Sequence, residues 1–284
     1  MPHRAPARVV ALYRHPVKSF TPQSCDSLTV QADGRIAGDR VLAFRFADAT
    51  QPEDRDGLDR WAKSKGLALQ EFPSLAALRL DYDDEALRVR ISRDDAVLVD
   101  AGLDDAGRAE IESAVTDHVL ASPEGRRLQR PGRLPLSLLG DGIASRFQDQ
   151  ARGYVTLHSR ESVAALGGAL GQEVDDRRFR SNVVIEGVGA WDELEWQGRL
   201  RIGEVTFTLE GTLARCLATH ANPDTGIRDA KVLTTLTTAF DQPEPTLGRM
   251  LLPIGDSSGR VGDAGSADSP VSGVIRVGDE VLLA

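Results

Sequence analysis

Short runs of strand length, each closed by a turn, set the terms for what this chain can fold into. Residues 9–14 lead into the proline-containing turn His15-Pro16-Val17-Lys18-Ser19, residues 27–30 precede Ala32-Asp33-Gly34, and Asp39-Arg40 opens the run 41–46. Residues 75–80, 87–91 and 96–99 continue the series, separated by acidic turns such as 81–85. Runs this short, β-branched or alternating, predict strands, and several at such spacing predict a barrel or sandwich rather than a doubly wound sheet. The polar stretch 51–66 reads as a surface loop with one helical turn near 58–64.

Helical periodicity enters at 104–120, where Ala106, Ala109, Ile111, Ala114, Val115 and Val119 share a face. A second helix is predicted over 159–170, with Ser159 as N-cap, Glu161 in the first turn and Gly167, Gly168 and Gly171 loosening or ending it. Between the helices, 122–135 carries Pro, Gly and four Arg, and predicts a junction dividing the chain into 1–121 and 122–284. Strands return at 182–186, 200–202, 205–209 and 274–283, and the Gly/Ser/Asp-rich stretch 256–270 reads as a mobile loop. The fold class expected is mixed and β-rich, with a barrel-like N-terminal domain and a few helices.

Composition narrows the function classes. A net charge of -9 argues against broad binding to a phosphate backbone, so no nucleic-acid partner is expected, though a local basic pocket remains compatible. Two cysteines, Cys25 and Cys216, lie too far apart in sequence for a metal knuckle and are too few for a cluster that needs four. No run approaches the roughly 18 apolar residues of a membrane span, and the first residues lack a signal-peptide core. A cytoplasmic protein with reduced thiols and no membrane partner is expected.

Four short pieces place cationic or hydrogen-bonding side chains beside strand ends: His15 to Ser19, Gly38-Asp39-Arg40, Arg178 to Val184, and Ala214 to Thr219. If they converge, Lys18, Arg40, Arg180 and Arg215 form a basic pocket for a multiply charged small anion. Cys216 would share it, where guanidinium groups favour a thiolate, a ligand suited to a thiophilic metal.

The order of these pieces, YRHPVKS, GDR, RFRSNVVIEG, RCLATHANPDTG and a terminal IRVGDEVLL, resembles the MOSC proteins that carry an N-terminal β-barrel domain, and among them the amidoxime-reducing components. The resemblance covers nearly the whole chain, more weakly at 51–69 and 256–270. It implies two β-barrel domains, a molybdenum cofactor, and reduction of N-hydroxylated compounds such as amidoximes or hydroxylamines. It places Cys216 as the protein ligand to molybdenum. It places Lys18, Ser19, Arg40, Arg180, Asn182 and Arg215 around the cofactor, with Ser159 at a weaker contact.

Departures limit what carries over. His15 stands where the family has Tyr, and Ala68-Leu69 replace a Thr-Ala-Arg run, so the resemblance supplies no cation there. No ferredoxin-like tail or sulfurase module is present in this chain, so electrons are expected from a separate protein.

Each residue also has a plainer reading. Cys216 alone reads as a small core residue and Ser159 as an N-cap. Lys18, Arg40 and Arg180 alone read as solvated charges. His158 and His220 invite a metal or Cys–His reading, but further zinc ligands are not evident in the sequence. Two other functions stay open: a carrier of molybdenum cofactor or of a persulfide on Cys216, and an inert barrel in which Cys216 is structural.

Overall fold

The computed structural model describes residues 6–55, 57–150, 152–254 and 271–283. The stretch 256–270 read above as a mobile loop lies outside them. The first part of the chain forms strands β1 (Arg8–Arg14), β2 (Gln23–Cys25), β3 (Ser27–Gln31), β4 (Ala43–Arg45), β5 (Glu53–Arg55), β6 (Leu58–Arg60), β7 (Arg79–Asp83), β8 (Arg88–Arg93) and β9 (Ala96–Gly102), followed by helices α1 (Asp105–Ala121) and α2 (Gly125–Leu128). The remainder forms β10 (Ser137–Leu139), β11 (Val155–Ser159), α3 (Arg160–Leu170), β12 (Val183–Glu186), α4 (Asp192–Glu195), β13 (Arg199–Ile202), β14 (Val205–Ala214), α5 (Val232–Ala239), β15 (Thr246–Pro253), β16 (Val271–Arg276) and β17 (Val281–Leu283). The expected β-rich class with a few helices is what forms.

Strict alternation builds the first core. Leu80 and Tyr82 of β7, Val89 and Ile91 of β8, and Val99 and Ala101 of β9 point inward, while the Arg and Asp residues between them face solvent. Helix α1 covers that face with Ile111, Val115 and Val119, spaced four apart on one stripe. Its Asp104 cap accepts from the Gly107 N–H at 2.7 Å. Phe20, Phe44 and Phe72 complete the core, with Phe20 stacked on Phe44 at 5.4 Å between ring centres.

An eight-stranded sheet in the order β17-β13-β14-β15-β11-β12-β1-β2 builds the second core. Among the named strand pairs, only β11 and β12 run parallel, and they are joined through α3, since a parallel pair needs a crossover. The sheet recruits the start of the chain, where β1 pairs antiparallel with β12, and a separate two-stranded sheet pairs β3 with β16. The end of β1 and the start of β12, remote in sequence, therefore lie side by side, which positions two parts of the site described next. No helix among the described residues is long and apolar enough to cross a membrane.

Two local expectations are corrected. Residues 75–80 were expected as one strand, but Pro73 opens a 3-10 turn over Pro73–Ala77, and β7 begins only at Arg79. The expected loop 51–66 contains the hairpin β5–β6, whose turn includes Gly57 at φ +79°.

Candidate functional site

The turn after β1 and the segment ahead of Val41 are laced together by backbone. Lys18 N–H donates to Leu42 O at 2.8 Å, Leu42 N–H to Pro16 O at 3.0 Å, and Arg40 N–H to His15 O at 2.7 Å. Within this lacing Ser19 (φ +73°) and Arg40 (φ +54°) adopt left-handed backbone, and Arg180 (φ +54°) does so at the end of the 3-10 turn Asp176–Phe179. Such a conformation costs an L-residue roughly 1–2 kcal/mol, so three instances around one cavity point to positions held for a purpose other than stability.

That cavity measures about 280 Å³. Of the eight residues expected from sequence, six line it: Lys18, Ser19, Arg40, Arg180, Arg215 and Cys216. Cys216 follows the end of β14, and its carbonyl accepts from the Thr219 N–H at 3.1 Å and the Thr219 hydroxyl at 3.0 Å, which fixes the backbone beneath a half-buried thiol.

Arg180 and Arg215 form no ion pair with a carboxylate among the described residues. Arg180 donates to Phe20 O at 2.5 Å. Arg215 donates through Nε and a terminal nitrogen to Leu247 O and through its other terminal nitrogen to Phe179 O at 2.9 Å. Burial, aided by the Arg40 charge, pushes the Arg180 guanidinium down to about 10. Burial alone does the same to Arg215, and the Cys216 sulfur opposes the shift at both. Both remain cations at neutral pH, in a place where an anion would relieve their electrostatic cost.

Arg40 does have a partner, Asp39. Burial works against ionising Asp39, yet Arg40 and the His15 contacts hold its carboxyl well below the usual range. His15 itself is fully buried, and burial, aided by Arg180, pushes its imidazole down to about 3, so it is neutral.

Ser159 and Asn182 lie outside the cavity lining, and packing explains both. The fully buried Ser159 hydroxyl caps α3, accepting from the Ser162 N–H at 3.1 Å, and lies 3.0 Å from the Glu193 carboxylate. Asn182 is a staple: its amide donates to Tyr13 O at 3.2 Å, and its Oδ1 accepts from the Thr156 hydroxyl at 2.9 Å. It ties the start of β12 to β1 and β11, two residues after Arg180.

The histidines take structural parts. His220 Nε2 accepts from the Leu233 N–H at 3.2 Å in the first turn of α5, and His158 Nε2 lies 3.2 Å from Asp176 Oδ1. Among the described residues no group of three or more His, Cys, Asp or Glu could hold a metal ion.

Several lining residues had no sequence signal of their own. Asp149 sits in the polar run Phe147-Gln148-Asp149-Gln150, with no periodicity to place it. Lys63 follows the unpredicted hairpin. Ala68 and Leu69, where a cation was in question, give the wall an apolar surface.

The MOSC domain family matches residues 144–282, and the MOSC N-terminal beta barrel domain family matches residues 6–122. The chain belongs to the MOSC family. This MOSC protein is 46% identical to a molybdenum cofactor sulfurase of Drosophila grimshawi over 82 residues, which is 28% of this chain and 10% of that one. It is 34% identical to mitochondrial amidoxime-reducing component 1 of Mus musculus over 127 residues, 44% of this chain and 35% of that one. The human protein of the same name is 30% identical over 125 residues, again 44% of this chain and 35% of its own. These matches span between 10% and 35% of the curated relatives' lengths, so they do not carry the relatives' reactions over to this chain. The crystal structure of the YUAD protein from Bacillus subtilis overlays 97% of this chain and 93% of its own at a TM-score of 0.36 and 11% identity, too low to bear on the fold.

Proposed function

We propose that this MOSC protein binds a molybdenum cofactor in the cavity and reduces N-hydroxylated compounds, amidoximes or hydroxylamines, with electrons from a separate donor protein. The observation carrying the proposal is the convergence of one thiol, Cys216, with Arg180 and Arg215, two burial-shifted cations that form no direct ion pair with a carboxylate among the described residues. This donor set suits an organic anion that brings its own metal, because the cavity offers one soft ligand and an excess of positive charge. Cys216 would ligate the metal; Ser19, Arg40, Arg180 and Arg215 would hold the anionic groups, with Lys18 beside them.

When bound, the cofactor supplies two-electron oxygen-atom removal, and the chain supplies position and field. The carbonyls of Leu247 and Phe179 aim Arg215 at the cavity, and the Phe20 carbonyl does so for Arg180. The Thr219 contacts hold Cys216 in place. The two cysteines of this chain cannot carry an iron–sulfur relay, which is why a donor protein belongs to the proposal. Cytoplasmic placement belongs to it as well, supported by two unpaired thiols.

The sulfurase relatives favour a second reading, in which the protein carries the cofactor, or a persulfide on Cys216, without turnover. Protein from a cofactor-producing host is expected to contain molybdenum and to reduce an amidoxime with an artificial electron donor. Cys216→Ala is expected to lose metal or change its spectrum. Full metal retention with an unchanged spectrum would overturn ligation by Cys216, and metal without turnover would favour the carrier.

A further inference from the structure

Lys18 lines the cavity, yet its donors are already committed. Nζ lies 2.7 Å from Asp149 Oδ1, 2.9 Å from Phe147 O and 3.3 Å from Gln148 O. An ammonium has three N–H groups, so three oxygens exhaust it. Lys18 cannot offer an N–H to a phosphate while all three contacts stand.

The three contacts are unequal. Two are backbone carbonyls of a segment pinned by the Phe147 N–H, which donates to Arg40 O at 3.1 Å. The third is a side chain: Asp149 is 62% exposed where Lys18 is 8% exposed, and Asp149 forms no other ion pair among the described residues. Rotating that carboxylate into solvent needs only a change of rotamer. Asp149 is also the one carboxylate among the described residues that line the cavity; the other charged residues there are Lys or Arg.

We propose that Asp149 is an internal anion that holds the Lys18 end of the cavity, and that an incoming phosphate group takes Lys18 by displacing it. This rests on the reading that the cavity receives a phosphate-bearing molecule. Exchange leaves the Phe147 and Gln148 contacts intact and gives Lys18 a partner of higher charge. A singly charged anion gains little over the carboxylate it replaces, so the device selects multiply charged ligands. The displaced carboxylate stays close enough to repel the newcomer, which lowers affinity and favours release.

The test is isothermal titration of inorganic pyrophosphate into the full chain and its variants. Asp149→Asn is expected to bind about tenfold more tightly, the scale of one like charge a few ångströms away after solvent screening. Asp149→Ala repeats the comparison without an amide that could keep the Lys18 contact. Adding Lys18→Met to Asp149→Asn is expected to remove the gain, and Arg180→Glu is expected to weaken binding in either background. Equal or weaker binding by both Asp149 variants, with Arg180→Glu still defective, overturns the role of Asp149 and leaves the anion cavity standing. No binding by the wild type or the Asp149 variants overturns the anion cavity together with the proposal.

Discussion

The backbone N–H of His15 donates to Asp39 Oδ1 at 2.7 Å, which ties the turn carrying Lys18 and Ser19 to the segment carrying Arg40. The other oxygen of the same carboxylate pairs with Arg40. One buried side chain therefore satisfies a backbone donor and a guanidinium together. Asp39→Ala leaves both without a partner, and breaking a buried pair in this way costs about 3 kcal/mol. Urea unfolding at pH 7 is expected to show that loss as a lower midpoint at unchanged slope.

His15 makes stability depend on pH. Its folded-state value of about 3 lies below the ordinary 6.5, because burial and Arg180 disfavour the imidazolium. Below pH 6.5 the unfolded chain takes up a proton that the folded chain refuses. The contribution of His15 is therefore complete above pH 6.5 and falls by about 1.4 kcal/mol per pH unit as pH drops toward 3. Asp39, also depressed, loses its contribution only below the ordinary carboxylate range. Unfolding free energies of wild type and His15→Gln at pH 7, 6 and 5 should therefore converge toward acid. Parallel curves would show that His15 is not buried as a neutral group.

Ser159 separates a fold residue from a ligand-binding one. Ser159→Ala removes the α3 cap and a hydrogen-bond partner of the buried Glu193, whose carboxyl burial pushes up while Ser162 and Ser159 pull it down. A loss of about 2 kcal/mol is expected. Molybdenum content per folded protein is expected to stay at the wild-type level; a fall at unchanged fold would return Ser159 to the site.

What was legible in the sequence follows from which signals are local. That Lys18, Arg40, Arg180, Arg215 and Cys216 would converge on one cavity was legible because each lies beside a strand end or sharp turn, where a short motif fixes direction. Ser159 and Asn182 occupy equally suggestive positions, but only tertiary packing reveals that Glu193, Tyr13 and Thr156 take their polar groups. Helix α5 was invisible because Val-Leu-Thr-Thr-Leu-Thr-Thr-Ala is rich in β-branched residues, which disfavour helix; Val232 and Leu236 packing with Val163 and Leu166 of α3 overrides that. Strand β15, unpredicted, is specified by pairing with β11 and β14 on either side. Asp149 has no local signal, and its meaning appears only when Lys18, 131 residues away in sequence, arrives beside it.

Arg180 is where function and stability are expected to part. Its cation is desolvated beside Arg40, sits at φ +54° and donates to a carbonyl, and the Asp39 and Asp149 carboxylates only partly offset its burial. Replacing it with a neutral residue of similar reach removes the charge repulsion and can keep the contact to Phe20 O. Arg180→Gln is therefore expected to make the cofactor-free chain more stable by about 1 kcal/mol, because relieving a buried charge that no direct ion pair offsets is stabilising. The same variant is expected to retain less molybdenum when produced in a cofactor-making host, since a cavity cation without a direct ion pair among the described residues is gone. Thermal unfolding of the cofactor-free protein and elemental analysis of the loaded protein read the two effects separately. A less stable variant that keeps its metal would show that Arg180 serves the fold and not the ligand.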